Sequence, residues 1–553
     1  MRCFLSLSGF LFLAISGAIG QINCQPAILD QVLKLDEIHN TPGFSVSIIH
    51  NGNIIYEASS GYANLKKQIR ISPETVFNAC DIAKQFTAMS ILILKEQGKL
   101  ALTDPITQYL PDLPKLRTNI TINHLLSHQS GIRDYLDLLL IKKKYKPKYF
   151  TKKQFWEDLN QQNQLGFYPG DGFAYINSGY VLLAEIVENV SRESLKDFAR
   201  KNIFEPLGML NTKFCNENSK RHPESTYSYK WIKKKNRYSK AQSTSELIGD
   251  GQLWTTLNDL YKWDQNFYHN QLGNGNSKLI ADLQAEYYLN NGRKSFYSKG
   301  LQMNDFNGIL SFEHFGYWDY FSSFYIRMPS INLSIVVCSN SDKYRAKLIA
   351  KKLQTELLSE ITEPEKSQLQ RDTGISLQQF EGIFIDLHTK SNIQKFIELE
   401  DNLYCISLVK ARQYDVQLYN PQKLQPNQIQ FGTKNDGDIV FRTNQSENLT
   451  HYQWRKSPTI FVKLKADTSN SNVSCTWCGN YFSEELRKKI RIRSISKSPH
   501  LQLKIGWFQK RKLEKLEGNY FWNSSEAMVI EFTNESLFIN KKRANNIRFE
   551  RMK

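Results

Sequence analysis

Apolar and polar residues alternate from Gly43 to His50 and again from Asn53 to Ser60, on either side of Asn51-Gly52. Two period-two runs joined by Asn-Gly predict a β-hairpin with a type I′ turn, because both central positions of that turn need positive φ. Upstream, residues 25 to 40 repeat apolar positions at helical spacing and predict an amphipathic helix. Lys84 to Gln97 reads as a strongly apolar helix stopped by Gly98. A mostly helical middle follows. Phe321 to Met328 and Ile331 to Ser339 then predict a second hairpin, and residues 341 to 360 a closing helix. Strands from both ends of one segment, with helices between them, predict an α+β domain over residues 25–363, an antiparallel sheet covered by helices.

Past Glu363 the pattern changes. Residues 364–376 are polar and read as a linker, and short alternating stretches with turn residues follow, the mark of all-β structure. Phe380-Glu381-Gly382-Ile383-Phe384 is echoed by Trp477-Cys478-Gly479-Asn480-Tyr481. A glycine between aromatics in both predicts the opening strand of two related barrel-like domains, at 377–466 and 473–553.

At 553 residues the chain exceeds one core, and 41% apolar residues with 23% charged exclude extensive disorder. Behind Met1-Arg2, the apolar run Phe4 to Gly20 ends in Ala18-Ile19-Gly20. That predicts a signal peptide over 1–20 and a secreted or periplasmic protein, and no later run is long enough for a transmembrane segment. The seven other cysteines are scattered, and Cys475-Thr476-Trp477-Cys478 has no second ligand pair nearby, so it reads as a local disulfide or buried thiols. No metal or cofactor is expected. The net charge of +18 gathers in Lys142–Lys153, Lys230–Lys240 and Arg487–Lys515. Solvated loops and edge-strand lysines that discourage aggregation account for such runs. The basic C-terminal domains also admit attraction to an anionic surface. Nucleic acid is not expected as a partner, since no base-reading motif accompanies the charge.

Three segments bear on chemistry: Asp81-Ile82-Ala83-Lys84, Tyr175-Ile176-Asn177 and His314-Phe315-Gly316. Their surroundings include ILKEQGKLALTDPI from Ile93, INHLLSHQSGI from Ile122, IFEPLGMLNT from Ile203 and GDGQLWTTLNDLYKWDQ from Gly249. In this order they resemble the serine β-lactamase and penicillin-binding-protein superfamily, in its class C β-lactamase, D-aminopeptidase and esterase branch. The resemblance covers residues 30 to 360. It implies an antiparallel sheet flanked by helices plus a helical subdomain, and D-aminopeptidase-like members also carry two C-terminal barrels. By position it implies proton transfer for Lys84 and Tyr175, and substrate amide contact with Lys orientation for Asn177. His314, Phe315, Gly316 and Tyr317 would line the strand along which substrate extends.

Where that family pattern has its serine, this chain has Asp81. A serine Oγ activated by a base attacks a carbonyl and forms an acyl-enzyme. A carboxylate beside an ammonium stays ionised and is a poor nucleophile toward amides and esters. Asp81 has structural uses instead: favourable interaction with a helix N-terminus, worth about 0.3–1 kcal/mol, capping of free N–H groups, and pairing with Lys84 three residues on. Cys80, one helical residue away, would be rotated about 100° from the site. Phe315 replaces a small hydroxyl residue, and Gly316-Tyr317-Trp318-Asp319-Tyr320-Phe321 stands where relatives read Gly-Gly-Trp-x-Gly-Phe, so the pocket is expected to be narrowed or refilled. The expectation is an exported binding or regulatory pseudo-enzyme whose ligand is a small peptide, amide or cell-wall-like fragment. The alternative is an active hydrolase of D-amino-acid peptides, amides or esters that uses Lys84 and Tyr175, with Asp81 as general base on a water.

Overall fold

A computed structural model of the chain describes Ile22, residues 24–359 apart from 39, 114–118, 143–148, 216–225, 242–243 and 307, Phe380, the strands between 382 and 464, and residues 477–552 apart from 496–499, 506–508, 517–518, 524–527, 534 and 542–543. The signal segment 1–20 and the linker 364–376 lie outside the described residues.

Strands β1 (Phe44–His50) and β2 (Asn53–Ser60) meet at Asn51 and Gly52, with φ of 49° and 77°, the turn that Asn-Gly favours. The remaining strands of this sheet come from far along the chain, after Gly300: β3 (Gln302–Phe306), β4 (Ile309–Trp318), β5 (Phe321–Met328) and β6 (Leu333–Ser339). The order is β3-β4-β5-β6-β1-β2, and the β1–β6 pairing, Phe44 opposite Ser339, closes the domain by joining its two ends. Every residue of β5 and β6 is buried, because helices cover both faces of the sheet. On one face α1 (Pro26–Leu33) and α5 (Ala346–Leu357) pack on Val46, Ile48, Phe324, Ile326, Ile335 and Val337. The other face carries the helical subdomain, centred on α2 (Ala83–Glu96), whose residues Ala83 to Leu94 are all buried. A helix apolar on every side belongs in the middle of a core.

Three expected boundaries move. The first helix stops at Leu33 because Lys34 turns left-handed, with φ of 55°, and donates its N–H back to Asp30 and Gln31; a 3-10 turn, Leu35–Glu37, follows. Ile331 ends a 3-10 turn rather than opening β6, since Asn332, at φ of 48°, must first reverse the chain. The closing helix begins only at Ala346, whose N–H is donated to Ser322 Oγ.

Beyond the linker lie two closed eight-stranded barrels, β7–β14 from Gly382–Asp386 to Ile460–Lys463 and β15–β22 from Gly479–Ser483 to Ala544–Arg551. The repeated aromatics open both: Phe384 and Tyr481 are buried, and Trp477 stacks on Phe532. A closed barrel has no edge, so the cations between Arg487 and Lys515 guard none, contrary to the edge-strand expectation. Cys478 borders the second barrel's core, while Cys475 lies outside the described residues.

The second barrel docks on helix α3 (Tyr135–Lys142), whose Leu138 and Ile141 join the barrel's own apolar cluster. Beside them Arg133 is buried. Its guanidinium donates to the Asn545 carbonyl (2.5 Å), the Asn546 carbonyl (2.8 Å), Gln162 Oε1 (2.8 Å) and Glu485 Oε2 (3.2 Å). Removing one partner of a buried pair strands the other charge, at about 3–5 kcal/mol. Arg133→Ala is therefore expected to destabilise the chain by that amount. Urea unfolding with a loss under about 1 kcal/mol would contradict this role for the pair.

Candidate functional site

The site begins with an unfavourable backbone conformation. Asn78 Oδ1 accepts the Cys80 N–H (2.8 Å), and Cys80 takes a left-handed φ of 51° before the 3-10 turn Cys80–Ile82 feeds α2. Left-handed geometry costs a residue with a Cβ about 1–2 kcal/mol. It sets Asp81 under the end of β4, where a Cβ added to Gly316 would lie 2.6 Å from Cys80 Cβ and 2.7 Å from the Asp81 nitrogen. Cys80 is thus not α-helical, and its buried thiol turns to the Asn78 and Phe321 carbonyls; burial pushes its pKa up.

Asp81 caps no helix, contrary to expectation. Its Oδ1 accepts from Lys84 Nζ and from the Tyr175 hydroxyl, each at 2.7 Å, and its Oδ2 accepts the Tyr317 backbone N–H at 3.2 Å. Lys84 is completely buried, and its three N–H groups have three acceptors: Asp81 Oδ1, Asn177 Oδ1 (2.9 Å) and the Asp250 carbonyl (2.7 Å). The rings of Tyr175 and Tyr180 flank the ammonium at 4.9 and 5.6 Å. Asn177 opens α4 (Asn177–Ser191) and donates its N–H to Asp134 Oδ2 at 2.7 Å. Burial alone would raise the Asp81 pKa, but the charge on Lys84 and the hydrogen bonds from Lys84 and Tyr175 outweigh it and hold it below the usual carboxylate value.

The structure thus brings together Asp81, Lys84, Tyr175, Asn177, His314 and Gly316. Phe315 is not among the residues that wall the cavity; Tyr317 is, with its backbone N–H on Asp81, while strand alternation turns its side chain to the opposite face. Residues alternate across a strand. His314 and Gly316 face Tyr297 and Cys80, whereas Glu313, on the opposite face, pairs with Lys351 of α5 at 2.9 Å. Phe315 sits opposite Phe324, which belongs to the α1–α5 cluster, and Phe315 and Tyr317 are 37% and 39% exposed. Those two bulky residues therefore do not refill the pocket. Trp318, which the relatives' pattern shares, closes one side of it, reaching edge-to-face onto Phe150 at 5.4 Å. What remains beside Asp81 is a cavity of about 50 Å³, walled by Tyr135, Asn177, Asp250 and Trp318 among others.

Asp250 and Tyr297 went unselected in the sequence. Asp250 stands in GDGQLW, a segment that carries the resemblance but offers no motif of its own. Its carboxyl accepts from the Tyr135 hydroxyl at 3.0 Å, and burial, with smaller repulsion from Asp81, pushes its pKa up to about 6. Tyr297 meets His314 Nε2 at 3.1 Å. Burial lowers the His314 pKa to about 4, which keeps the ring neutral at pH 7. Among the described residues no cluster of three or more His, Cys, Asp or Glu is placed to hold a metal ion.

The family model described as Beta-lactamase matches residues 29–358, more than half of the chain. The chain belongs to the Beta-lactamase family. A penicillin-binding protein of Bacillus subtilis (strain 168) is 29% identical over 323 residues, 56% of this chain and 70% of that one. The D-aminopeptidase of Gluconobacter oxydans (strain 621H) is 25% identical over 345 residues, 61% of this chain and 64% of that protein. In fold, the octameric penicillin-binding protein homologue from Pyrococcus abyssi superposes with a TM-score of 0.52 at 24% identity, covering 79% of this chain and 98% of that one. Members of the Beta-lactamase family named for different activities thus share this chain's frame, and its own residues must decide its chemistry.

Two buried groups of this family member titrate in opposite senses. The unfolded chain protonates His314 below its ordinary 6.5 while the fold refuses the proton down to about 4, so this contribution to stability is lost as pH falls through that window. Asp250 holds its proton up to about 6 in the fold but only to 3.8 unfolded, so its contribution is present at low pH and lost as pH rises from 3.8 to 6. The two largely offset each other. Asp250→Asn is expected to unmask a stability that rises with pH between about 4 and 6.5, and His314→Gln one that falls between about 4 and 6. Denaturation midpoints of both variants across that range check the signs.

Proposed function

We propose that this Beta-lactamase family member has lost acyl-serine hydrolysis and acts as a binding or regulatory pseudo-enzyme, with Asp81 at the position of the family's nucleophilic serine. One observation carries the reading. The Asp81 carboxylate accepts from both proton-handling side chains and from the Tyr317 strand N–H. In the serine enzymes that strand N–H would stabilise the negative charge developing on the substrate. Here a fixed carboxylate already takes it, and a second anion beside it would be repelled. Tyr175 and Lys84 donate their protons to acceptors of the protein itself, so neither offers a base to a nucleophile.

Cavity size supports the same reading. About 50 Å³ admits a water-sized guest, whereas pockets for small ligands run to about 300–1,000 Å³. A small peptide, amide or cell-wall-like ligand would lie along the β4 edge at Phe315–Trp318, which β3 leaves unpaired because its register ends at Glu313. The apolar leader at 1–20 would route the chain to a secreted or periplasmic location.

The test is intact-protein mass spectrometry after incubation with a penicillin and with a fluorophosphonate, alongside hydrolysis of D-alanyl amides and simple esters. Loss of an activated serine typically costs about 10⁶ in turnover, so the natural chain is expected to stay unlabelled and silent. Asp81→Ser is expected to label. If the natural chain turns over any of these substrates, and Lys84→Ala abolishes it, the pseudo-enzyme reading fails and Asp81 acts as a general base on water.

A further inference from the structure

The second barrel presents a face that local stability does not explain. Strand β16 (Lys488–Ser494) alternates cations with buried isoleucines: Lys489, Arg491 and Arg493 are exposed, while Ile490 and Ile492 enter the barrel core. On β17 (Leu501–Ile505) the buried residues are Leu501 and Leu503, which leaves Gln502 and Lys504 on the outside. On β18 (Gln509–Lys515) Leu513 is buried and Lys512 exposed. The register then sets like charges side by side. Arg491 lies directly opposite Lys504, which lies opposite the backbone of Lys510, and the row Arg493-Gln502-Lys512 runs beside it.

Like charges directly opposite on neighbouring strands destabilise a sheet. Among the described residues, the acid that approaches this patch is Glu514, 3.9 Å from Lys512, and Lys489, Arg491, Arg493 and Lys504 have no ion-pair partner. Edge protection is no account of them, because the barrel is closed. The cations are spaced about 7 Å along a strand and about 5 Å across strands. Such an array meets a chain of regularly repeated anions at several points at once.

We propose that the outer face of β16–β18 binds a linear polyanion of the polyphosphate class. A bilayer surface fits less well, since the described outward positions (Lys489, Arg491, Arg493, Gln502, Lys504, Lys512 and Glu514) include no aromatic or aliphatic side chain to enter the head-group region. The site lies outside the Asp81 cleft and stands whether or not that cleft is catalytic.

The test uses the full chain and long-chain inorganic polyphosphate, with affinity measured by fluorescence anisotropy across a salt series. With four cations engaged, log K is expected to fall against log salt with a slope of about −3. Arg491→Gln/Arg493→Gln/Lys504→Gln should weaken binding at least tenfold. Lys233→Gln/Lys234→Gln/Lys235→Gln, which removes the same charge from an exposed turn of the first domain, should weaken it less than twofold. The barrel triple should also keep or raise its melting temperature, since it relieves cross-strand repulsion. Equal weakening by both triples would reduce the effect to net charge and overturn the proposal, as would no weakening by either. Tighter binding of phosphatidylglycerol vesicles than of polyphosphate at equal anion concentration would overturn it in favour of a membrane surface. Should the barrel triple fail to fold, Arg491→Gln and the salt series on the unaltered chain decide, and a slope shallower than about −1 counts against the site.

Discussion

A lysine ammonium sealed from water at the centre of the first domain sets the terms for everything around it. Taking such a charge out of water costs several kcal/mol unless acceptors replace the solvent. Lys84 finds three: Asp81 one turn before it, and Asn177 and the Asp250 carbonyl from distant parts of the chain. Asp81 is the charged one. Pairing the ammonium with a carboxylate offsets the burial better than a neutral hydroxyl could, and it also ties Tyr175 and the Tyr317 N–H to the same anion. What stabilises the cleft is therefore what occupies its reactive positions. Stability and reactivity compete for the same hydrogen bonds.

The apparatus that holds Asp81 in place is retained around it. Cys80 keeps its left-handed φ, and Gly316 leaves no room for a side chain against the turn. Local strain of this kind persists only where surrounding structure overdetermines it. Here the determinants are the Asn78 side chain, the carbonyls around the Cys80 thiol and the Ser323 hydroxyl, which donates to the Ala79 carbonyl at 2.6 Å. Trp318 and Phe150 then close the space above. The cavity left beside Asp81 within this frame is about 50 Å³.

The second barrel is bound into this arrangement through Arg133. That residue precedes Asp134, which accepts the Asn177 N–H, and Tyr135, which donates its hydroxyl to Asp250. The Arg133 carbonyl accepts from Ser178 Oγ at 2.8 Å, and the same Oγ accepts the Tyr135 N–H. Barrel main chain at Asn545 and Asn546 therefore fixes the guanidinium of a segment whose next two residues hold the far wall of the cleft.

Much of this was legible without coordinates, where the controlling physics is local. Asn51-Gly52 specified its turn because few residue pairs tolerate two positive φ values. The all-round apolar stretch after Lys84 specified a buried helix, and the three spaced segments specified the family. The opening strands of the barrels were legible from glycines between aromatics. What the sequence could not determine depends on register and on distant partners. Which face Phe315 and Tyr317 take is fixed by the pairing of β4 with β5, since a one-residue slip would turn each side chain to the other face. Asp250, Tyr297, Trp318 and Arg133 act through contacts more than a hundred residues away or through packing, which no spacing encodes. The like-charged rows of β16–β18 exist only once a closed barrel sets those strands side by side. Composition determined that the chain carries the charge; the tertiary structure decided that part of it gathers on one face, because neighbours on a barrel are chosen by hydrogen-bond register and not by order along the chain.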